Sequence, residues 1–349
     1  MKLNRIKHFD FISFIDKHKL PLLAILLLGL LVVPFLGLSS YVIRVLCMVF
    51  VYSILTISLN FITGYLGATS MGHASLYCVG AYVGALAATR AGCNIWTSLI
   101  FAVIVGLMAG GILGVCTMKL SGSYMTVTTL AFAQVVTMIA KNWTSVTNGT
   151  LGIKDIPKAT FFGIEMTVRN GGMYFVGLSL LVLVILFSTV VIHSKYGRAF
   201  IAVRDDELGA RMMGLNTRNY RLLGTVISGG LAGVAGCYYA YLTGYIDPVT
   251  FSFDISMTIL TMAILGGLAS IPGSIVGAAI LTVFPELLRS LDVYRYLFFG
   301  FILVIMMRIR PQGILGNIKT PYYTLPKGVI RKQADLDASQ KGSGGGKMQ

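Results

Sequence analysis

The apolar residues of this chain fall in blocks about as long as a lipid bilayer is thick. Residues 20–38, 41–61, 96–118, 173–192, 222–242 and 294–309 each approach the ~20 residues a helix needs to cross ~30 Å of hydrocarbon. Hydrophobic residues make up 56% of the chain and charged residues only 12%, about half the usual charged share of a soluble domain. That leaves too little polar surface to wrap one soluble core. A membrane β-barrel would instead show short segments of alternating polarity. The expected fold class is therefore an all-α polytopic integral membrane protein.

A net charge of +15 could suggest nucleic acid as a partner, but the placement of the charges argues for lipid. Lys2, Arg5, Lys7, Lys17 and Lys19 precede the first block. Lys195, Arg198, Arg204, Arg211, Arg218 and Arg221 share one loop, and Arg308, Arg310 and Lys319 follow the last block. Basic residues hugging span ends mark the cytoplasmic side of a membrane. No nucleic-acid partner is expected.

Two weaker blocks are assigned by parity. Residues 70–88 are rich in Gly and Ala with His73 as the one ionisable group, and 126–140 carry no charge. Counting both as embedded gives six crossings before Lys195, so both basic segments fall on the cytoplasmic side. The run 255–288 is too long for one span and is interrupted at Pro272-Gly273, which predicts two spans with a turn there. The total is about ten membrane-embedded helices with both termini cytoplasmic. Residues 1–19 read as a cytoplasmic segment, with 20–38 retained as the first span rather than removed as a signal. Residues 20–316 form the membrane domain, with an inner loop at 194–220. The tail 317–349, ending in Gly and Ser before Lys347, has nothing to bury and is expected to be disordered.

Small residues recur every fourth position: Gly106, Gly110 and Gly114; Gly80 and Gly84; Gly229, Gly233, Ala232 and Gly236; Gly273 and Gly277. In lipid such faces let helix backbones approach closely. The five cysteines form no CxxC pair and read as small buried hydrophobes.

Enzyme signatures are missing. There is no HExxH, no GxSxG, no cluster of metal-ligand type and no G-x-x-x-x-G-K-[ST], so neither a catalytic site nor a metal site is expected and ATP has no P-loop here. An ion-coupled secondary carrier usually keeps an acid within the membrane despite a cost of roughly 2.5–3.5 kcal/mol on insertion scales. Glu286 and Arg289 are the nearest candidates and read as an interfacial pair. The energy for any transport is expected on another polypeptide.

The loop 194–220 is the most informative segment. Asp205, Asp206 and Glu207 put acids at a helix start, where the dipole favours them and Asp205 can cap. Glu207 and Arg211 are spaced i, i+4, as are Leu208 and Met212 on another face. Gly214 and Asn216 give a stop signal. A two-turn amphipathic helix results, too short to hold alone in water; the alternative is a solvated loop.

These residues resemble a known family. Residues 206–216, with Glu207, Leu208, Ala210, Arg211, Met212 and Gly214, are similar to the cytoplasmic coupling loop of ABC importer permeases, in the form found in LivM-type permeases of branched-chain amino acid importers. Matching segments are 64–67 (GYLG) continuing to 70–74 (SMGHA) and 80–82 (GAY); 228–236 (SGGLAGVAG); 266–278 with Pro272-Gly273; and Arg310-Pro311-Gln312-Gly313. Gly209 departs from the family's usual alanine, which loosens the loop helix by roughly 1 kcal/mol. Arg211 stands where an acid is common.

The resemblance implies a transmembrane permease of the bacterial inner membrane. Its partners would be a homologous second permease (LivH-like), two cytoplasmic ATPase subunits and a periplasmic substrate-binding protein. The ATP would be bound by the partner subunits, with no cofactor in this chain. It implies that the loop Asp205–Asn216 docks on the ATPase, and that Gly72, His73 and Tyr82 lie near the translocation pathway, His73 alternatively satisfying a buried carbonyl. Relatives of this kind carry branched-chain amino acids, or urea, amides or nucleosides. The rivals from other classes are an ion-coupled secondary transporter and a membrane enzyme.

Overall fold

The computed structural model describes residues 39–287 apart from 121 and 162–163, together with 34, 300, 308 and 313–315. The blocks 20–38 and 294–309, the segment 1–19, the tail 317–349 and the Glu286–Arg289 pairing lie outside these residues or depend on them. The described chain is helical, with one two-stranded hairpin.

Among the described residues, five helices are long and apolar enough to cross a membrane. They are α1 (Ser40–Asn60, continued by a π-turn at Phe61–Tyr65), α3 (Ile95–Thr117), α4 (Ser123–Asn142), α5 (Gly172–His193) and α8 (Thr217–Thr243). Shorter helices fill the rest: α2 (His73–Thr89), α6 (Lys195–Asp205), α7 (Glu207–Met212), α9 (Phe253–Gly266) and α10 (Ile271–Leu287). The sequence-read blocks that fall within the described residues map onto these elements within a few residues.

The contacts sort the helix ends onto two sides. On one side, which the elbow α6–α7 occupies, Arg221 at the start of α8 reaches the Leu120 carbonyl just past α3, and Arg204 reaches the Gly64 carbonyl at the end of α1. On the other, Arg90 just past α2 donates to the Ser145 and Val146 carbonyls beyond α4. There β1 (Ala159–Phe161) pairs antiparallel with β2 (Ile164–Met166), and Ile153 bridges to Ile246 beyond α8. An exposed Lys158–Glu165 ion pair at 2.8 Å crosses the hairpin.

The core lies where α8 packs on α2 and α3. A Cβ on Gly80 would stand 2.5 Å from the Gly233 Cα, and one on Gly229 2.8 Å from the Gly110 Cα. The recurring small residues are thus backbone-to-backbone crossings. Hydrogen bonds from buried hydroxyls to backbone carbonyls pin the neighbouring turns: Ser58 and Ser228 each donate to the other's carbonyl at 2.6 and 2.8 Å, and Tyr241 donates to the Cys93 carbonyl at 3.0 Å.

Two corrections concern the last helices. The break in the long apolar run falls at 267–270, with Gly267 at φ 118 and Ala269 at φ 59, rather than at Pro272-Gly273. Pro272 instead occupies the first turn of α10, where its missing N–H costs nothing. The turn is then fixed from α1: the Asn60 amide donates to the Ser270 carbonyl at 3.2 Å and to Ser274 Oγ at 2.8 Å, and accepts the Ala269 N–H at 2.8 Å. The segment 313–315 closes on the same place, Ile314 and Leu315 donating to the Leu265 and Gly266 carbonyls.

Candidate functional site

The elbow begins where α5 stops. Ser194 turns to extended backbone and accepts the Tyr196 N–H at 3.2 Å, starting α6. One face of α6 is small and apolar: Gly197, Ala199, Phe200 and Val203 are buried, and the Phe200 ring meets Tyr220 of α8 edge-on at 6.3 Å. Asp206 then breaks the helix in extended conformation and caps α7, its side chain accepting the Gly209 N–H at 3.0 Å. Asp205 is the last residue of α6, so the cap expected at Asp205 belongs to its neighbour. The loop holds two helices rather than one because Asp206 hydrogen-bonds its own backbone in preference to continuing α6.

Glu207 faces inward from α7 and gathers charge. Its carboxylate pairs with Arg211 at 3.0 Å, the i, i+4 spacing read from the sequence, and with Arg221 at 2.7 Å. Thr217 donates to it at 3.3 Å. Arg221, only 13% exposed, spends its other arm on the Leu120 carbonyl at 2.8 Å. One carboxylate therefore links α7 to the start of α8 and the end of α3. Ala210 is buried at the foot of α7, while Leu208, Met212 and Met213 stand 63–84% exposed. Gly214 closes the helix at φ +84, a conformation that a side chain strains, and Leu215 N–H returns to the Ala210 carbonyl at 3.1 Å. Asn216 caps α8 rather than stopping α7, accepting the Asn219 N–H at 3.4 Å. Beside the elbow lies an open groove of about 450 Å³, lined by Tyr196, Leu215, Asn216, Asn219, Tyr220 and Leu223 among others.

A second tie was not legible beforehand. Arg204 donates to the Gly64 carbonyl at 3.2 Å while pairing with Asp205 at 3.0 Å. The Gly64–Gly67 segment thus touches the elbow directly, and Asn60, one turn earlier, holds the α9–α10 turn. The available signal was an amide, Asn60, near the end of a mostly apolar block.

Gly72 and His73 sit together at the start of α2, and Tyr82 lies about two and a half turns on. All three are buried. A Cβ on Gly72 would collide with the Thr129 backbone of α4. Neither His73 ring nitrogen completes a hydrogen bond among the described residues, and the same holds for the Tyr82 hydroxyl, whose ring lies 6.1 Å from Phe251. Among the described residues, no group of three or more His, Cys, Asp or Glu is placed to hold a metal.

A basic helical elbow is thus tied to the ends of three apolar spans, α1, α3 and α8. Residues 41–307 match the family described as branched-chain amino acid transport system, permease component, and the chain belongs to that family. It is 34% identical over 337 residues to the high-affinity branched-chain amino acid transport system permease protein LivM of Escherichia coli (strain K12), covering 90% of this chain and 79% of the relative. The corresponding LivH protein of Salmonella typhimurium is 27% identical over 293 residues, covering 76% and 91%. An autoinducer 2 import system permease protein, LsrC, of Salmonella paratyphi B is 26% identical over 212 residues, 58% of each chain. No solved structure matches significantly.

Proposed function

We propose that the chain is the translocating permease of a bacterial ABC importer for branched-chain amino acids, seated in the inner membrane with ten embedded helices and both termini cytoplasmic. It pairs with a homologous LivH-like permease; two cytoplasmic ATPases bind the ATP, and a periplasmic protein delivers substrate. The observation that carries this reading is the elbow: α7 presents Leu208, Met212 and Met213 to solvent on the side rich in Lys and Arg, while Glu207 anchors it inward. Exposed apolar side chains on so short a helix call for a partner surface.

ATP-driven closure of the ATPases displaces α7. The Glu207–Arg221 and Arg204–Gly64 ties carry that displacement to α8, α3 and α1, and the spans reorient to pass substrate inward. Nothing in this mechanism requires covalent chemistry from this chain.

The test replaces Leu208 and Met212 together by Asp in the reconstituted importer. Each change removes apolar contact worth roughly 1.5–3 kcal/mol if fully buried at an interface. Membrane insertion and pairing with the second permease should be unchanged, while ATPase capture and leucine uptake fall at least tenfold at matched membrane levels. Normal uptake would defeat the docking assignment. Gly214 is unsuited to this test because its positive φ penalises any side chain whatever it touches.

A further inference from the structure

Most exposed side chains at bilayer depth look made for lipid. On α3 they are Ile100, Phe101, Ile104, Leu107, Met108 and further apolar residues as far as Val115. On α5, Leu183, Leu186, Phe187 and Val190 are joined by Ser179 and Thr189, whose hydroxyls donate back to carbonyls of their own helix at 2.8 and 2.7 Å. Besides Arg44, near the start of α1, two exposed polar residues break this pattern, Gln134 on α4 and Asp254 in the first turn of α9.

Their depth follows from contacts and helix rise. Ser256 Oγ accepts the N–H of Ala74, which lies about 22 Å along α2 from Thr89 at the hairpin end. Phe251 meets Tyr77 edge-on at 4.9 Å and lies 6.1 Å from Tyr82, residues about 18 and 10 Å from that same end. Asp254 falls between Phe251 and Ser256, hence roughly 10–20 Å inside. Gln134 is eight residues from the end of α4, about 12 Å inside. The turn Pro248–Phe251 and α9 both pack on α4, so these polar groups belong to adjoining elements at one level. Thr261, at i+7 from Asp254 and partly exposed, continues a polar stripe along α9, whereas Thr258, at i+4, turns its hydroxyl back to the Asp254 carbonyl at 2.8 Å, as Ser179 and Thr189 do on α5. No cation among the described residues pairs with Asp254.

We infer that this face of α4 and α9 lines the water-filled passage and that Asp254 contacts the cationic ammonium group of the passing amino acid. A carboxylate only accepts hydrogen bonds, so it selects a cation. A zwitterionic substrate carries one, and a carboxylate at the wall of the passage replaces the water molecules the ammonium sheds where it touches that wall. Facing hydrocarbon, Asp254 would carry the full insertion penalty of a charge in lipid. The recognition step rests on the import reading above; the exposure of the face to water does not.

The experiment uses the assembled importer with the five native cysteines of this chain replaced by serine. Single cysteines at Asp254, Gln134 and Met108 are treated with a membrane-impermeant charged thiol reagent. Asp254→Cys and Gln134→Cys should react at least tenfold faster than Met108→Cys. Reaction of Asp254→Cys at the Met108→Cys rate, whether lipid or the second permease covers it, overturns the passage. In parallel, Asp254→Asn should lower leucine uptake at least tenfold with ATPase capture unchanged, and Asp254→Glu should recover most of it. Full uptake by Asp254→Asn, or equal loss in both variants, overturns the ammonium contact. If the unmutated complex moves no leucine, the import reading fails by itself, and the thiol rates still decide whether the face is wet.

Discussion

Where α8 crosses α2 and α3, backbone meets backbone, and the glycines at Gly80, Gly106, Gly110, Gly229 and Gly233 leave no space for a single added carbon. Where α7 of the elbow meets the same bundle, long charged side chains span the gap, and Leu208 and Met212 point away into solvent. The first contact is short-ranged and specific in register, because in lipid only close packing and hydrogen bonds hold helices together. The second is extended, partly hydrated and made of groups that can shift without leaving a void. One region fixes the membrane bundle; the other transmits displacement to it. The difference teaches that rigidity and mobility are assigned here by residue chemistry rather than by secondary structure, since both regions are helical.

Adjacent glycines offer the sharpest test. A side chain at Gly110 meets the Gly229 and Val226 Cα atoms at 3.0 and 3.1 Å, whereas at Gly111 the nearest neighbour is a Val226 methyl at 3.7 Å. Gly110→Leu should therefore cost more than the roughly 1–3 kcal/mol of ordinary overpacking, because its obstacles are backbone. Gly111→Leu should cost well under that. The measurement is the fraction of monodisperse protein after detergent extraction, with its melting temperature. Equal losses would mean that the seam is not packed as described.

At the elbow the expected effect is smaller and of a different kind. Glu207→Gln keeps the shape of the side chain and removes the charge that pairs Arg211 and Arg221. Arg221 is then left poorly compensated, a loss of roughly 1–3 kcal/mol, reduced by the partial hydration of Glu207. Extractable protein should stay normal while substrate-stimulated ATP hydrolysis falls about three- to tenfold. A collapse of folded protein comparable to that of Gly110→Leu would erase the distinction between the two regions.

The sequence made these two regions legible to different degrees. Helix existence was readable because spans in lipid must be long, apolar and free of charge, and because Gly spacing repeats with the helix. The i, i+4 pair Glu207–Arg211 was readable for the same reason: its partners are local. What stayed hidden depends on distance along the chain. Arg221 reaching Leu120, Arg204 reaching Gly64 and Asn60 holding Ser270 each join residues more than 100 apart. Asp254 was hidden otherwise: it stands one residue before an apolar run and no local pattern singles it out, while the contacts of Phe251 with Tyr77 and of Ser256 with Ala74 carry it inward. The break at 267–270 was misplaced because Pro272-Gly273 is the stronger local punctuation, although Pro serves equally well in a first helical turn.

The smallest effect separates the two acids at the head of α7. Asp206 accepts the Gly209 N–H and has the extended backbone of a cap. Asp205 ends α6 and makes an ion pair with Arg204 at the surface, its own side chain 63% exposed. A cap of this type is worth about 1 kcal/mol, and an exposed pair about 0–1 kcal/mol, with many contributing nothing measurable. Asp206→Ala should accordingly speed amide exchange in residues 207–212 about fivefold, the change that ~1 kcal/mol implies. Asp205→Ala should change it by less than about twofold, near the lower bound for surface pairs. Exchange measured by mass spectrometry on the protein in nanodiscs reads both variants, with residues 225–235 of α8 as the internal reference that neither should move. The opposite ranking would return the cap to Asp205 and merge α6 and α7 into one lever, so that the elbow would bend elsewhere than at residue 206.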